Sequence, residues 1–182
     1  ASRGLGDVYK RQDMNVVVDL ATTFGCPFEG KYNDPQAVVT FLKDYVDAGM
    51  ITCCLCDTVG LADPEQVKAV IGALKAAYPA LTLQVHFHDT RGLGMVNTMA
   101  AIESGVDEVQ SALGGLGGCP FAPGASGNLS TEDMVWMLNE SGYETGVNFS
   151  KILEAAKYQV GVVPGNYSGH HIHIEKETPC KA

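Results

Sequence analysis

The residues best suited to chemistry are the two histidines of Val85-His86-Phe87-His88-Asp89. They close an apolar segment, Leu81-Thr82-Leu83-Gln84-Val85, that reads as a strand. Side chains at i and i+2 of a strand share a face, so His86 and His88 converge near the strand's end. Gly92 and Gly94 follow and mark a loop. A convergent imidazole pair there suits a divalent metal that takes nitrogen and oxygen ligands. Two ligands do not complete a shell, and a hydrogen-bonded histidine pair beside a loop is the plainer reading of these two alone.

Other candidates weigh less. Cys53-x-x-Cys56 has the look of a zinc or redox pair. On a strand that odd offset sends the two thiols to opposite faces, and no second pair exists, so they read as buried thiols. Trp136 and Met137 stand at ordinary helical spacing and read as core. The glycine-rich stretch from Gly114 to Asn128 lacks the Gly-Lys-Ser/Thr of a phosphate loop. It holds Cys119, Pro120, Phe121 and Pro123, which suits a lid carrying a functional thiol better than a plain linker.

The elements that must position these groups alternate regularly. Strands are predicted at Val16–Ala21, Ile51–Cys56, Leu81–His88 and Asp107–Ala112. Helices are predicted from Pro35 to about Ala48, Pro64 to about Tyr78, Met95 to Ser104 and Thr131 to about Asn139. Asp34-Pro35 and Asp63-Pro64 are helix starts, a capping carboxylate followed by proline at the first helical position. Gly49 and Gly105 are stops. Strands alternating with helices imply parallel βαβ units, and near-continuous apolar strands imply a sheet covered by helices. A (β/α)8 barrel needs about 250 residues and rarely fewer than about 200, against 182 here. Cys26, Asp57, the histidine pair, and Cys119 with Asn128 each follow a strand end, where such barrels build their active sites. The expected fold class is therefore α/β, the C-terminal half (about four β/α units) of a (β/α)8 TIM barrel.

Residues 1–12, with Arg3, Lys10 and Arg11, open no apolar period and are read as a non-native leader. Residues 13–156 form the expected partial barrel and 157–182 an extension, read as strand-like because His171 and His173 would share a face. The formal charge of −9 argues against a nucleic-acid surface. No apolar run is long enough for a membrane span. Six cysteines in a chain of this apolar content fit a reduced, intracellular setting.

Together, Gly25-Cys26-Pro27-Phe28-Glu29-Gly30, Cys56-Asp57-Thr58-Val59-Gly60, Val85-His86-Phe87-His88-Asp89-Thr90, Gly115-Leu116-Gly117-Gly118-Cys119-Pro120 and Gly127-Asn128 with Thr131-Glu132-Asp133 resemble the 3-hydroxy-3-methylglutaryl-CoA lyases. The resemblance runs in order from about Val16 to about Ala156. It implies a metal-dependent lyase that cleaves an acyl-CoA substrate, 3-hydroxy-3-methylglutaryl-CoA, to acetyl-CoA and acetoacetate. It implies Mg²⁺ or Mn²⁺ held by His86, His88 and Asn128. His86 is also the implied proton carrier, Asp57 a member of the polar site, and Cys119 the lid thiol. It further implies a homo-oligomer in the bacterial cytoplasm or mitochondrial matrix. The Gly-Gly-Cys-Pro loop separates these lyases from the isopropylmalate and homocitrate synthases, the rival reading within enzymes. The family's first-strand Arg-Asp pair and second-strand carboxylate have no counterpart here, so an incomplete, inactive fragment is the expectation for this chain by itself.

Overall fold

A computed structural model describes residues 16–118 and 127–174. Its centre is a four-stranded sheet in the order β1-β4-β5-β6, with β1 Val18–Leu20, β4 Thr52–Asp57, β5 Thr82–Phe87 and β6 Glu108–Gln110. All three pairings are parallel. Between β1 and β4 lies a short antiparallel pair, β2 Gly25–Cys26 and β3 Gly30–Lys31, which the sequence pattern does not announce. Helices α1 Pro35–Asp47, α2 Pro64–Ala77, α3 Gly94–Glu103 and α4 Thr131–Glu140 each follow a strand of the main sheet. A fifth helix, α5 Phe149–Val162, follows α4. The α/β class with a parallel sheet is as expected.

The helix starts obey the predicted chemistry. Asp34 and Asp63 each accept a hydrogen bond at 2.9 Å, from the N–H of Gln36 and Gln66, with proline at the first helical position. Each such cap stabilises its helix by about 1 kcal/mol. Gly49 ends α1 at φ 92°, a left-handed conformation that costs glycine little.

Strand alternation divides the sheet into two unlike faces. Cys53, Leu55, Leu83, Val85 and Phe87 point into one core with Leu42 of α1, Val67, Ile71 and Leu74 of α2, and Ala100 and Ala101 of α3. The opposite face carries Asp19, Cys54, Cys56, Gln84, His86, Glu108 and Gln110 in register across the four strands. Gln84 donates to Glu108 at 2.6 Å and accepts from Gln110 at 2.9 Å, so this face is a polar ladder. The near-continuous apolar strands implied a sheet covered by helices, and helices cover one of its faces. The polar residues at alternate positions explain why only one face joins the helical core.

α5 is continuous through residue 156. The C-terminal part corrects one expectation. The segment holding His171 and His173 is a turn of 3-10 helix, not a strand. Its docking explains the difference. Asp133 at the start of α4 accepts from the backbone N–H of His170 at 2.6 Å and of His171 at 3.0 Å. Its two oxygens also meet the imidazole Nδ1 atoms of the same residues, at 3.1 Å and 2.5 Å. The His171 ring lies 5.2 Å from Trp136 and 5.3 Å from Phe149, centroid to centroid. A carboxylate that collects two consecutive N–H groups forces a turn, because extended backbone points successive N–H groups apart.

Candidate functional site

Near the end of β5, His86 is in register with Cys56 of β4 and Gln110 of β6. One residue past the strand, His88 forms an isolated antiparallel bridge with Asn128. The two imidazole centroids are 5.2 Å apart at an interplanar angle of 64°. His88 is buried, and its Nδ1 has no hydrogen-bond partner among the described residues. A buried ring nitrogen without a partner calls for an explanation, and an ion is one. Burial, and secondarily the charge of His86, hold the His88 imidazole below its usual range. It is therefore neutral near pH 7, with a lone pair free to ligate.

Asn128 is held from several sides. Its Nδ2 donates to the Leu116 carbonyl at 3.0 Å, which leaves Oδ1 as the atom able to face a cation. Its backbone N–H donates to the Gly115 carbonyl at 3.1 Å, and the Leu129 N–H reaches the Phe87 carbonyl at 3.2 Å. The Ser168 hydroxyl donates to the Asn128 carbonyl at 2.8 Å. Gly117 approaches so closely, at φ 130°, that a Cβ there would lie 2.5 Å from Asn128 Nδ2. A glycine is required at that point by both conformation and space. Two imidazoles and one amide oxygen form a donor set that fits a divalent cation of the magnesium or manganese kind, with positions left open.

The C-terminal segment supports this loop from beneath. Tyr167 packs against Gly114, where a Cβ would meet its ring at 2.7 Å. The Gly169 N–H donates to the Gly114 carbonyl at 3.1 Å. Glu132, fully buried, accepts from the Gly114 N–H at 2.9 Å. Sequence inspection finds the glycines but not this partner segment, because nothing local in Tyr167-Ser168-Gly169 signals a contact some fifty residues away.

Asp57, expected among the polar site residues, stands at the end of β4 on the helix-facing side of the sheet. It continues the alternation of Cys53 and Leu55 and pairs in register with Phe87. It is fully buried, and its two oxygens accept from the N–H groups of Leu61 at 2.9 Å and Ala62 at 3.1 Å. Burial raises its pKa, although those N–H groups, that of Gly60 and the charge of Arg91 oppose the rise. Arg91 in turn donates to the Val59 carbonyl of the same loop. Asp57 therefore shapes the β4–α2 loop. The remaining expected site residue, Cys119, lies outside the described residues.

One cluster escaped the sequence reading. Asp19 of β1 stands opposite Cys54 of β4, and Cys56 lies two residues further on the same face. Their ligand atoms all fall within 4.8 Å of one another. The signal was present in the i, i+2 spacing of Cys54 and Cys56, the same spacing that singles out His86 and His88.

The fold and site define a parallel βα-repeat protein whose imidazole and amide donors gather at the C-terminal ends of its strands. The chain belongs to the HMGL-like family, whose profile matches residues 8–158. Over 139 residues it is 43% identical to the hydroxymethylglutaryl-CoA lyase YngG of Bacillus subtilis, covering 76% of this chain and 46% of that relative. The mitochondrial hydroxymethylglutaryl-CoA lyase of Mus musculus is 44% identical over 139 residues, 76% of this chain and 42% of its own. The solved HMG-CoA lyase of Acinetobacter baumannii, in complex with coenzyme A and 3-methylmalate, superposes with a TM-score of 0.85 at 36% identity. That match covers 98% of this chain and 59% of the solved one. The chain thus spans about half the length of the curated relatives it matches. Among the described residues, no helix is long and apolar enough to cross a membrane.

Proposed function

We propose that this chain supplies half of a (β/α)8 barrel and the metal-binding strand ends of a carbon–carbon lyase acting on 3-hydroxy-3-methylglutaryl-CoA. The observation that carries the reading is the meeting of His86, His88 and Asn128, two segments brought together by the His88–Asn128 bridge. The kinship with hydroxymethylglutaryl-CoA lyases supports the substrate class, and the coenzyme A in the Acinetobacter baumannii relative supports an acyl-CoA. The bacterial and mitochondrial relatives support an intracellular setting. The outer strands β1 and β6, unpaired on one side among the described residues, are the edges that the complementary half of the barrel would pair, and a homo-oligomer of the whole enzyme rests on the family resemblance alone.

A divalent cation, Mg²⁺ or Mn²⁺, held by His86, His88 and Asn128 Oδ1 would polarise the substrate's hydroxyl and carbonyl oxygens. Loss of the tertiary hydroxyl proton turns that oxygen into the ketone of acetoacetate. The adjacent carbon–carbon bond breaks toward the thioester, and its electrons form the enolate of acetyl-CoA. Protonation of the enolate carbon completes the reaction. His86 borders the reacting oxygen from the polar face, and it carries the proton only through a ring nitrogen not bound to the cation. The role carried by the resemblance for Cys119 is in turnover, in proton transfer at the bound thioester or in excluding water from it. Asp57 acts as a positioning residue by fixing the β4–α2 loop.

The test has two arms. Mn²⁺ titrated into the 182-residue chain and followed by electron paramagnetic resonance should show a bound signal that His88→Ala removes. The chain alone should release no acetoacetate, because two imidazoles and an amide bring no negative charge to balance a dication. Joined to the complementary half of the Bacillus subtilis lyase, it should turn over. In that active form Cys119→Ser should lower kcat by roughly 100-fold, the low end for a proton-transfer group, with Mn²⁺ affinity unchanged. Acetoacetate release by the isolated chain, or no release from the completed barrel, counts against the reading.

A further inference from the structure

We propose that Asp19, Cys54 and Cys56 form a second cation site, selective for a thiophilic divalent ion of the zinc class, on the polar face of the sheet. The geometry that carries it is local. Strand pairing fixes Asp19 opposite Cys54, and alternation puts Cys56 on the same side. The two sulfurs lie 3.9 Å apart. Two thiolates each about 2.3 Å from a tetrahedral ion would be about 3.8 Å apart. The backbone has therefore already set the sulfur–sulfur edge of a tetrahedron. The Asp19 carboxylate lies within 4.8 Å of both sulfurs, and its side chain is exposed, so no tight packing holds it away from an ion there. A solvent molecule completes the fourth position, since the cluster opens to water at Asp19.

The alternatives fit less well. A disulfide between positions i and i+2 of one strand spans Cα atoms about 6.6 Å apart, at the far end of the range such bonds accept, with both Cβ atoms pointing the same way. An isolated pair of structural thiols does not account for a carboxylate placed opposite them. Magnesium and manganese prefer oxygen and imidazole donors, so this cluster is chemically distinct from His86, His88 and Asn128. It is nonetheless adjacent, because Cys56 pairs in register with His86. The Cys56 thiol now donates weakly to Cys54, at 3.7 Å to its carbonyl and 3.9 Å to its sulfur. That hydrogen bond first, and burial second, hold the Cys54 thiol far above its usual range. Binding replaces the two S–H bonds by two S–metal bonds, and both protons leave to solvent. The inference stands apart from the lyase reading and uses residues that reading leaves idle.

The experiment is a Co²⁺ titration of the 182-residue chain, reduced with a phosphine, followed by Zn²⁺ and Mn²⁺ competition. Thiolate-to-cobalt charge-transfer absorption should saturate at one equivalent and be displaced by Zn²⁺ but not by Mn²⁺. Cys54→Ser with Cys56→Ser should abolish the absorption and weaken Zn²⁺ binding roughly 100-fold or more, beyond the loss of a mere outer-shell partner. Asp19→Asn, at an exposed position and nearly isosteric, should weaken it about tenfold with the circular dichroism unchanged. His88→Ala should leave the absorption intact. No charge-transfer band at one equivalent, a band that survives the double serine variant, or one lost in His88→Ala would overturn the site. So would unchanged affinity in Asp19→Asn, a readout that holds even if the double variant does not fold.

Discussion

His88 and Asn128 are backbone partners in an isolated antiparallel bridge, which ties the end of β5 to the far side of the glycine-rich loop. The two side chains belong to segments with no continuous strand pairing between them, so this bridge and the loop contacts that hold Asn128 set their separation together. His86→Ala, His88→Ala and Asn128→Ala should each weaken Mn²⁺ binding by at least about tenfold, since even outer-shell losses cost that much. Calorimetric titration checks this. A variant with wild-type affinity removes its residue from the shell.

Gly117→Ala tests whether the loop backbone positions Asn128. The new Cβ would lie 2.5 Å from Asn128 Nδ2 at φ 130°, so the amide must move. Mn²⁺ affinity should fall and the melting temperature with it. Gly92→Ala is the control, because φ is +72° there but nothing lies within 4 Å. It should cost about 1–2 kcal/mol of stability through backbone strain alone and leave Mn²⁺ affinity unchanged.

Asp133 makes the docking of the C-terminal segment pH-dependent. Burial alone would raise its pKa, but the N–H groups of His170 and His171, followed by their side chains, outweigh it and the net shift is downward. A carboxyl whose folded pKa is depressed stabilises the fold above its unfolded value of about 3.9. That contribution disappears as pH falls from there through the lower folded value. Asp133→Asn should cost about 2–3 kcal/mol at pH 7 through the lost charge-assisted bonds. The gap between wild type and variant should narrow below about pH 4. Urea unfolding at a series of pH values reads both, and a gap that is constant with pH contradicts the assignment.

Asp57→Ala separates positioning from direct chemistry. It leaves the N–H groups of Leu61 and Ala62 without an acceptor, at about 1–3 kcal/mol each if they stay buried. Asp57→Asn keeps an acceptor oxygen and should recover much of the stability. If Asp57 only positions the loop, Mn²⁺ affinity in the asparagine variant stays near wild type. A tenfold loss there would place Asp57 at the cation after all.

What the sequence determined by itself was local. Alternation of apolar residues, the Asp-Pro helix starts and the glycine stops fixed four strands and four helices to within a residue or two, because those signals depend only on neighbours in the chain. The same-face geometry of His86 and His88 also needs nothing beyond strand pleating. The β2–β3 pair is only two residues per strand, too short to show a period. The orientation of Asp57 needed β4 to run one residue past its expected end at Cys56, so that the alternation of Cys53 and Leu55 carries on to it, opposite Phe87. Asp19 joined Cys54 and Cys56 only because β1 and β4 pair at one offset out of several that the apolar pattern permits. The turn at His171 was decided by the Asp133 carboxylate, a tertiary partner that outweighs the local alternation of the His-Ile-His segment. Strand pleating alone put His86 with His88, whereas pairing between strands distant in the chain decided that Asp19 meets Cys54 and that His88 meets Asn128.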